Sequence, residues 1–201
     1  MLQKLFFHGR VLIARREHNR RLYDLPERVL PAPVLAAKVP PADDTALWLA
    51  TLKLRQRRLV TLKRSEVPLV ADLVQPVNVE GCPPLYCLRA DLPLFEAGKT
   101  EDEADAEPRL LAPLEPLIYD RRVTSTLWNF DYVWEAYLPA HKRVRGHYAL
   151  PVLAGLELVG HVEPKANRAA GRLEVVSRRV RRGHNVSAAI EDLAAFLGLR
   201  R

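Results

Sequence analysis

Cysteine is scarce in this sequence, and long apolar runs are missing from it. The two cysteines, Cys82 and Cys87, are too few for a disulfide scaffold and have no obvious partners for a metal site, which favours a reducing compartment. No stretch approaches the roughly 18 to 20 apolar residues of a membrane span, and the opening run MLQKLFFHGR is too short for a signal peptide. We therefore expect a soluble, cytoplasmic protein with no membrane partner.

Apolar and basic residues are plentiful by contrast. Hydrophobic residues make up 48% of the 201 positions, which is enough to build a core. Lysine and arginine number 31 against 24 aspartates and glutamates, so the formal net charge is +7. An excess of this sign is typical of proteins that bind polyanions.

The first half of the chain divides into two predicted segments. In residues 1–41, the β-rich runs Val11–Ala14 and Arg21–Leu25 flank a polar turn and predict a hairpin. In residues 42–95, one helix starts near Asp43, a second is predicted over Ser65–Leu73, and two strands follow. A helix, helix, hairpin order is typical of the end of a winged helix.

The second half begins with an acidic linker over residues 96–108, which carries too few apolar side chains to fold. Residues 109–201 then predict a small antiparallel β-barrel or sandwich and a closing helix capped by Ser187. The predicted strands are Val133–Tyr137, His147–Leu153, Leu158–Val162 and Arg172–Val176. The predicted fold class is thus α+β, with winged-helix segments followed by a small barrel and a C-terminal helix.

Four arginines, which we call the hairpin arginines, surround the turn of the first predicted hairpin. A basic hairpin of this kind can reach a DNA backbone or minor groove, so we expect DNA contact there. The hairpin arginines are Arg15, Arg16, Arg20 and Arg21.

Three ordered blocks carry a resemblance to a known family. They read LLAPLEPLIYDRR (Leu110–Arg122), YVWEAYLPAHKRVRGHYALP (Tyr132–Pro151) and VGHVEPKANRAAGRLEV (Val159–Val175). They resemble the C-terminal part of the winged-helix crosslink-repair DNA glycosylases (YcaQ/AlkZ-like). Upstream, RRLYDLPERVLP and VNVEGCPPLYCLRADLPLFEAG resemble two wings of that family.

The resemblance implies tandem winged helices followed by a β-barrel, and duplex DNA as the partner. Several cations lie in the matching blocks and are interpreted as phosphate contacts, with a solvated charged face as the alternative. They are Arg121, Arg122, Lys142, Arg143, Arg145, Lys165 and Arg168. Two further basic groups, Arg178–Arg182 and the cations of residues 53–64, are interpreted as solvent-facing.

The family's catalytic signature is a glutamine, an apolar residue and then glutamine or aspartate. The nearest candidate, Gln75, is followed by Pro76 and lacks the second polar group. Glu115 and Asp120 are weak catalytic candidates, and the alternative for Asp120 is an ion pair with Arg121 or Arg122, or a cap of the following turn. No cofactor or metal is expected.

We therefore expect a DNA-binding protein that is non-catalytic as the chain stands, located in the cytoplasm and associated with the nucleoid when bound to DNA. One alternative is a protein-interaction scaffold whose basic surface is incidental. Another is a glycosylase whose catalytic segment lies upstream or in a partner chain.

Overall fold

A computed structural model describes residues 1–98 and 107–201. Most of the predicted acidic linker, residues 99–106, lies outside the described residues. The chain forms two compact units, Met1–Thr45 and Ala46–Arg201. The domain boundaries given above remain predictions.

The first unit is built around the predicted hairpin, which is confirmed. Strands β1 and β2 pair in antiparallel register across the turn at His18, whose φ of 52° is left-handed. Phe6 packs its ring edge to face against Tyr23, with 5.9 Å between the centroids. The elements are α1 (Leu2–Phe7), β1 (Leu12–Glu17), β2 (Arg20–Asp24), α2 (Pro26–Val29) and α3 (Ala32–Leu35).

Two helices and a three-stranded sheet open the second unit. The sheet has the order β3-β5-β4, and its core includes Ala50 and Leu54 from the long helix. The predicted second helix is shorter than expected: it begins at Val67 with Pro68 in its first turn and ends at Val70, where a turn to Leu73 follows. The elements are α4 (Ala42–Arg57, in which the boundary between the units falls), β3 (Val60–Thr61), α5 (Val67–Val70), β4 (Val74–Val77), β5 (Leu85–Leu88) and α6 (Leu92–Ala97).

A four-stranded antiparallel sheet of order β6-β7-β8-β9 dominates the rest of the unit. One hydrophobic cluster joins Val152 and Val162 of the sheet to Ile190 of the last helix. A second cluster joins Leu158 to Ile118 and Tyr132 of the segment before the sheet. The elements are β6 (Arg109–Leu110), α7 (Arg121–Trp128), β7 (Leu150–Ala154), β8 (Glu157–Asn167), β9 (Arg172–Val180) and α8 (Ser187–Phe196).

The predicted barrel is not confirmed. Across the described residues no sheet closes on itself, and β6 and β9 are the two edges of an open sheet. Near the end of the chain, Arg200 pairs with the start of β9, where its carbonyl accepts the N–H of Leu173 at 2.6 Å. Closure would need β6 to pair with β9, whereas β6 has only two residues and pairs with β7.

Two local predictions are wrong for identifiable reasons. Residues Glu135–Tyr137 form a short 3-10 helix where a strand was expected, since the Glu135 side chain turns inward to bind a loop. Ser187 is the first residue of α8 and not its cap, because the Asn185 side chain accepts the Ser187 N–H at 3.0 Å. The closing helix itself is confirmed.

In the described part of the chain, no helix combines the length and the apolar character that crossing a membrane requires.

Candidate nucleic-acid interface

The hairpin arginines all lie exposed on β1 and β2. Directly opposed residues share a face of the ribbon, so Arg16 and Arg21 stand together on one face, while Glu17 and Arg20 face the other way. Arg15 forms an ion pair with Glu17 at 3.0 Å. Within residues 1–98 and 107–201, Arg16 and Arg21 have no anionic partner. The hairpin therefore presents two adjacent, uncompensated guanidinium groups.

A buried carboxylate organises the basic loop at residues 142–147. Glu135 is only 4% exposed, and its Oε2 accepts the backbone N–H groups of Val144, Arg145 and Gly146 at 2.8, 2.8 and 3.1 Å. The Arg145 guanidinium lies 3.7 Å from Oε1. Burial alone would raise the pKa of Glu135, but these N–H donors and the Arg145 charge hold the pKa below its ordinary value. The loop is thus fixed by an ionised side chain.

A second carboxylate fixes the far end of the same loop. Glu163 of β8 accepts the His147 N–H at 2.7 Å, and the Ser177 hydroxyl of β9 donates to the Arg145 carbonyl at 3.2 Å. Gly146 has a φ of 132°, and a Cβ at that position would collide with the Glu163 carboxylate. This close approach requires glycine, so the 142–147 loop is held tightly against the β8–β9 ribbon.

Beside this loop lies an open cleft of about 340 Å³, which we call the loop cleft. Its charged and polar lining consists of Arg143, Arg145, His147, Glu163, Ser177 and Arg179. His161 stands opposite Arg179 on the ribbon and is buried, and its Nε2 has no partner among the described residues. Burial and the charges of Arg145 and Arg179 lower the pKa of His161, which favours its neutral form.

The other predicted cations of this region are spread out. Lys142 is exposed on the loop, Lys165 pairs in register with Glu174 on the ribbon, and Arg168 lies in the β8–β9 turn. Arg168 is five residues beyond Glu163, or about 16 Å along an extended strand. Arg168 therefore lies apart from Lys142 and Arg143, because the ribbon extends past the loop.

Arg121 and Arg122 have opposite surroundings although they are neighbours. Arg121 is partly buried, donates to the carbonyls of Ile118 and Pro113 at 2.6 and 2.5 Å, and lies over the Tyr132 ring at 4.4 Å. Burial raises the pKa of Tyr132 to about 12, which keeps the phenol neutral beneath this cation. Arg122 is exposed. Of the two, Arg122 alone has a guanidinium placed for a ligand.

The two weak catalytic candidates have ordinary surroundings. Asp120 caps α7 by accepting the N–H groups of Arg122 and Val123 at 3.2 and 3.5 Å, and its other oxygen accepts the Thr61 hydroxyl at 3.2 Å. Glu115 precedes a 3-10 turn and is half-buried. Both oxygens of Asp120 are engaged in structural hydrogen bonds, which favours the helix-cap interpretation.

A second basic cleft, which we call the lysine cleft, has a volume of about 450 Å³. Its cations are Lys53, Lys63, Arg64 and Arg122, and Pro83, Pro84 and Tyr86 contribute an apolar wall. Lys53 is paired with Glu66 at 3.0 Å. Other cations of the same stretch serve the fold, since Arg57 lies over the Tyr119 ring at 3.5 Å and Arg58 binds the buried Asp91 at 2.7 Å.

Three contributions were missed at the level of sequence. Glu135 is the organising carboxylate, and its signal was an acidic residue set among aromatic side chains ahead of a basic, glycine-containing loop. Arg179 is exposed, in agreement with its interpretation as solvent-facing, and the fold places it at the loop cleft as well. Lys63 and Arg64 had likewise been interpreted as solvent-facing, and only the fold brings them to Arg122.

Comparison with known proteins gives two matches. A family model described as "DNA glycosylase AlkZ-like" matches residues 1–197. The solved structure of Streptomyces sahachiroi DNA glycosylase AlkZ is similar with a TM-score of 0.57 at 18% sequence identity, over 99% of this chain and 55% of that one. At this identity the structural match shows a shared fold alone. The chain spans about half the length of that protein.

Proposed function

The chain belongs to the AlkZ-like DNA glycosylase family, and on that premise we propose that it binds duplex DNA through its exposed basic surfaces. Family membership supports a DNA-repair function of the glycosylase type. We propose that the DNA it binds carries alkylated bases or interstrand crosslinks, the lesions implied by the family resemblance. Residues 42–95 would form a winged-helix module of the DNA interface. They contain α4, α5 and the β3-β5-β4 sheet.

The observation that carries the proposal is the opposed pair of Arg16 and Arg21. Like charges placed directly across a β-ribbon are destabilising, and neither guanidinium has an anionic partner in the described residues. Two adjacent phosphates of a DNA backbone would relieve this repulsion and accept hydrogen bonds from both guanidinium groups. The exposed Arg122 and Lys142 would add further phosphate contacts.

The test measures binding to a plain, labelled duplex by fluorescence anisotropy at several salt concentrations. Each phosphate contact contributes about 0.9 to the slope of log affinity against log salt, so the Arg16→Ala, Arg21→Ala double variant should lower the slope by about two. Arg15→Ala is the matched control, because Glu17 already compensates that charge. A flat salt dependence of the wild type would contradict DNA binding and favour the protein-interaction scaffold.

We further propose that the chain alone does not excise bases. Asp120 is committed to capping α7, and a glycosidic bond needs a carboxylate or amide beside the anomeric carbon. Incubation with alkylated and crosslinked duplexes should release no base. Release that Glu115→Gln or Asp120→Asn abolishes would contradict this and make the substituted residue catalytic.

A further inference from the structure

An exposed aromatic cluster lies next to the loop cleft. The Trp134 ring packs against Tyr137 and Tyr148 with centroids 5.3 and 5.9 Å apart, in edge-to-face arrangements. Tyr137 is nevertheless 83% exposed. A tyrosine ring that packs against one neighbour and is otherwise open to solvent marks a surface suited to a ligand.

One cation is hydrogen-bonded to the segment that carries this ring. Arg143 donates its Nε to the carbonyl of Leu138, the residue after Tyr137, at 2.9 Å. Its terminal nitrogens have no partner in the described part of the chain, and the exposed Arg179 likewise has none. Both arginines line the loop cleft. The surface therefore combines an accessible aromatic ring with two guanidinium groups available for an anion.

The surface is also rigid before any ligand arrives. Tyr137 and Glu135 belong to the same 3-10 helix, and Glu135 binds three successive N–H groups of the 142–147 loop. Glu163 then fixes the loop at His147. A preformed site loses little conformational entropy on binding, so such a rigid arrangement favours affinity.

We propose that this surface binds one unpaired nucleotide of a DNA strand, with the base stacked on Tyr137 and the phosphate in the loop cleft against Arg143 and Arg179. An aromatic ring beside arginine forks is the arrangement that recognises unstacked nucleotides, because every base offers a π-face and every phosphate accepts bidentate hydrogen bonds. Paired bases in a regular duplex have both faces covered by their neighbours. The inference rests on the proposed DNA binding and extends it to a distorted or unpaired position.

The experiment compares the affinity for a plain duplex with that for the same duplex carrying a single-base bulge, at one fixed salt concentration. Stacking of one base on an aromatic side chain contributes about 1 to 3 kcal/mol, so the wild type should bind the bulged duplex roughly 5- to 150-fold more tightly. Tyr137→Ala should lose this preference and keep its affinity for the plain duplex. Tyr137→Phe should retain the preference, because the ring is preserved.

Phe196→Ala provides the matched control, since Phe196 is 86% exposed on α8 and lines neither the loop cleft nor the lysine cleft. It should leave the preference unchanged. Equal binding of the two duplexes by the wild type, or a preference that survives in Tyr137→Ala, would overturn the inference and leave duplex binding intact. A lower melting temperature together with loss of all DNA binding in Tyr137→Ala would also overturn the inference, because it would show that the ring stabilises the fold. Wild-type protein that binds neither duplex would overturn the proposed function itself.

Discussion

Arg21 of the β1–β2 hairpin and Arg121 at the start of α7 carry the same guanidinium group in opposite surroundings. Arg21 is exposed opposite another arginine. Arg121 is partly buried, donates to two carbonyls and covers the Tyr132 ring. The cost of leaving Arg21 unpaired is small in water, whereas Arg121 would be costly to bury without its acceptors. The basic residues of this chain therefore fall into two groups: cations that stabilise the fold, such as Arg121, and exposed cations that are available to a polyanion, such as Arg21.

The largest loss of stability is expected on substitution of Glu135, the carboxylate that binds Arg145 and fixes the 142–147 loop. Glu135→Ala leaves three N–H groups and the Arg145 guanidinium without their acceptor, and should lower the free energy of unfolding by about 3 kcal/mol. Urea denaturation measures the change. The control is Glu157→Ala, which removes an exposed pair with Arg181 and should cost under about 1 kcal/mol. Equal losses in both variants would show that the loop does not depend on the buried carboxylate.

Arg121 should give the next largest effect. Arg121→Ala removes two hydrogen bonds to carbonyls and a cation–π contact, so we expect a loss of about 2 kcal/mol. Arg122→Ala, its exposed neighbour, should leave stability nearly unchanged and weaken DNA binding instead. Thermal denaturation and duplex affinity measured on both variants test the contrast. A stable Arg121→Ala protein with weakened DNA binding would reverse the assignment.

The pH dependence of stability isolates the charge of Glu135. Its pKa is lower in the folded protein than the ordinary value of 4.5, so the folded state favours the ionised form. The resulting stabilisation is complete above pH 4.5 and is lost as the pH falls through the folded pKa. Wild type should therefore lose stability on acidification more steeply than Glu135→Gln. Parallel curves between pH 6 and the acid transition would contradict a charged loop anchor.

The smallest change in stability is expected at the hairpin. Substituting Arg16 and Arg21 by alanine removes a like-charge pair from opposed positions, so the free energy of unfolding should stay the same or rise by a few tenths of a kcal/mol, roughly. Denaturation of the double variant beside wild type measures this. A loss of more than about 1 kcal/mol would place these arginines among the cations that build the fold.

The periodic parts of the fold were the predictable ones. The hairpin around His18, the ribbon of β8 and β9 and the helix α8 follow from alternating or helical spacing within single segments. Barrel closure depends on whether the two edge strands of the sheet, β6 and β9, pair with each other, and no local sequence pattern indicates such pairing. Residues 133–137 include Val, Trp and Tyr, which favour strands, but the contact of Glu135 with a loop nine to eleven residues further on decides their conformation.

Site chemistry was predictable only as a set of candidate residue types. Nothing in the dipeptide Arg121-Arg122 separates a structural arginine from an exposed one, because the difference comes from Tyr132 and Pro113 in the folded chain. The sequence suggested that Asp120 could cap a turn, whereas the helix α7 that it caps was not predicted. Tyr137 looked like an ordinary strand residue until its exposure and its contact with Trp134 were known.

The position of β9 at the sheet edge has a consequence for solubility. Among the described residues, its outer side is covered by Arg200 alone, next to Gly171 and Leu173, so further along β9 the backbone is open to pairing with another copy. Open edge strands are templates for aggregation, and natural proteins often protect them with charged side chains. The exposed Arg178 and Arg179 lie along this edge, whereas Arg172 is paired with Glu174 at 2.9 Å. Repulsion between Arg178 and Arg179 of two neighbouring copies would disfavour edge-to-edge pairing through β9.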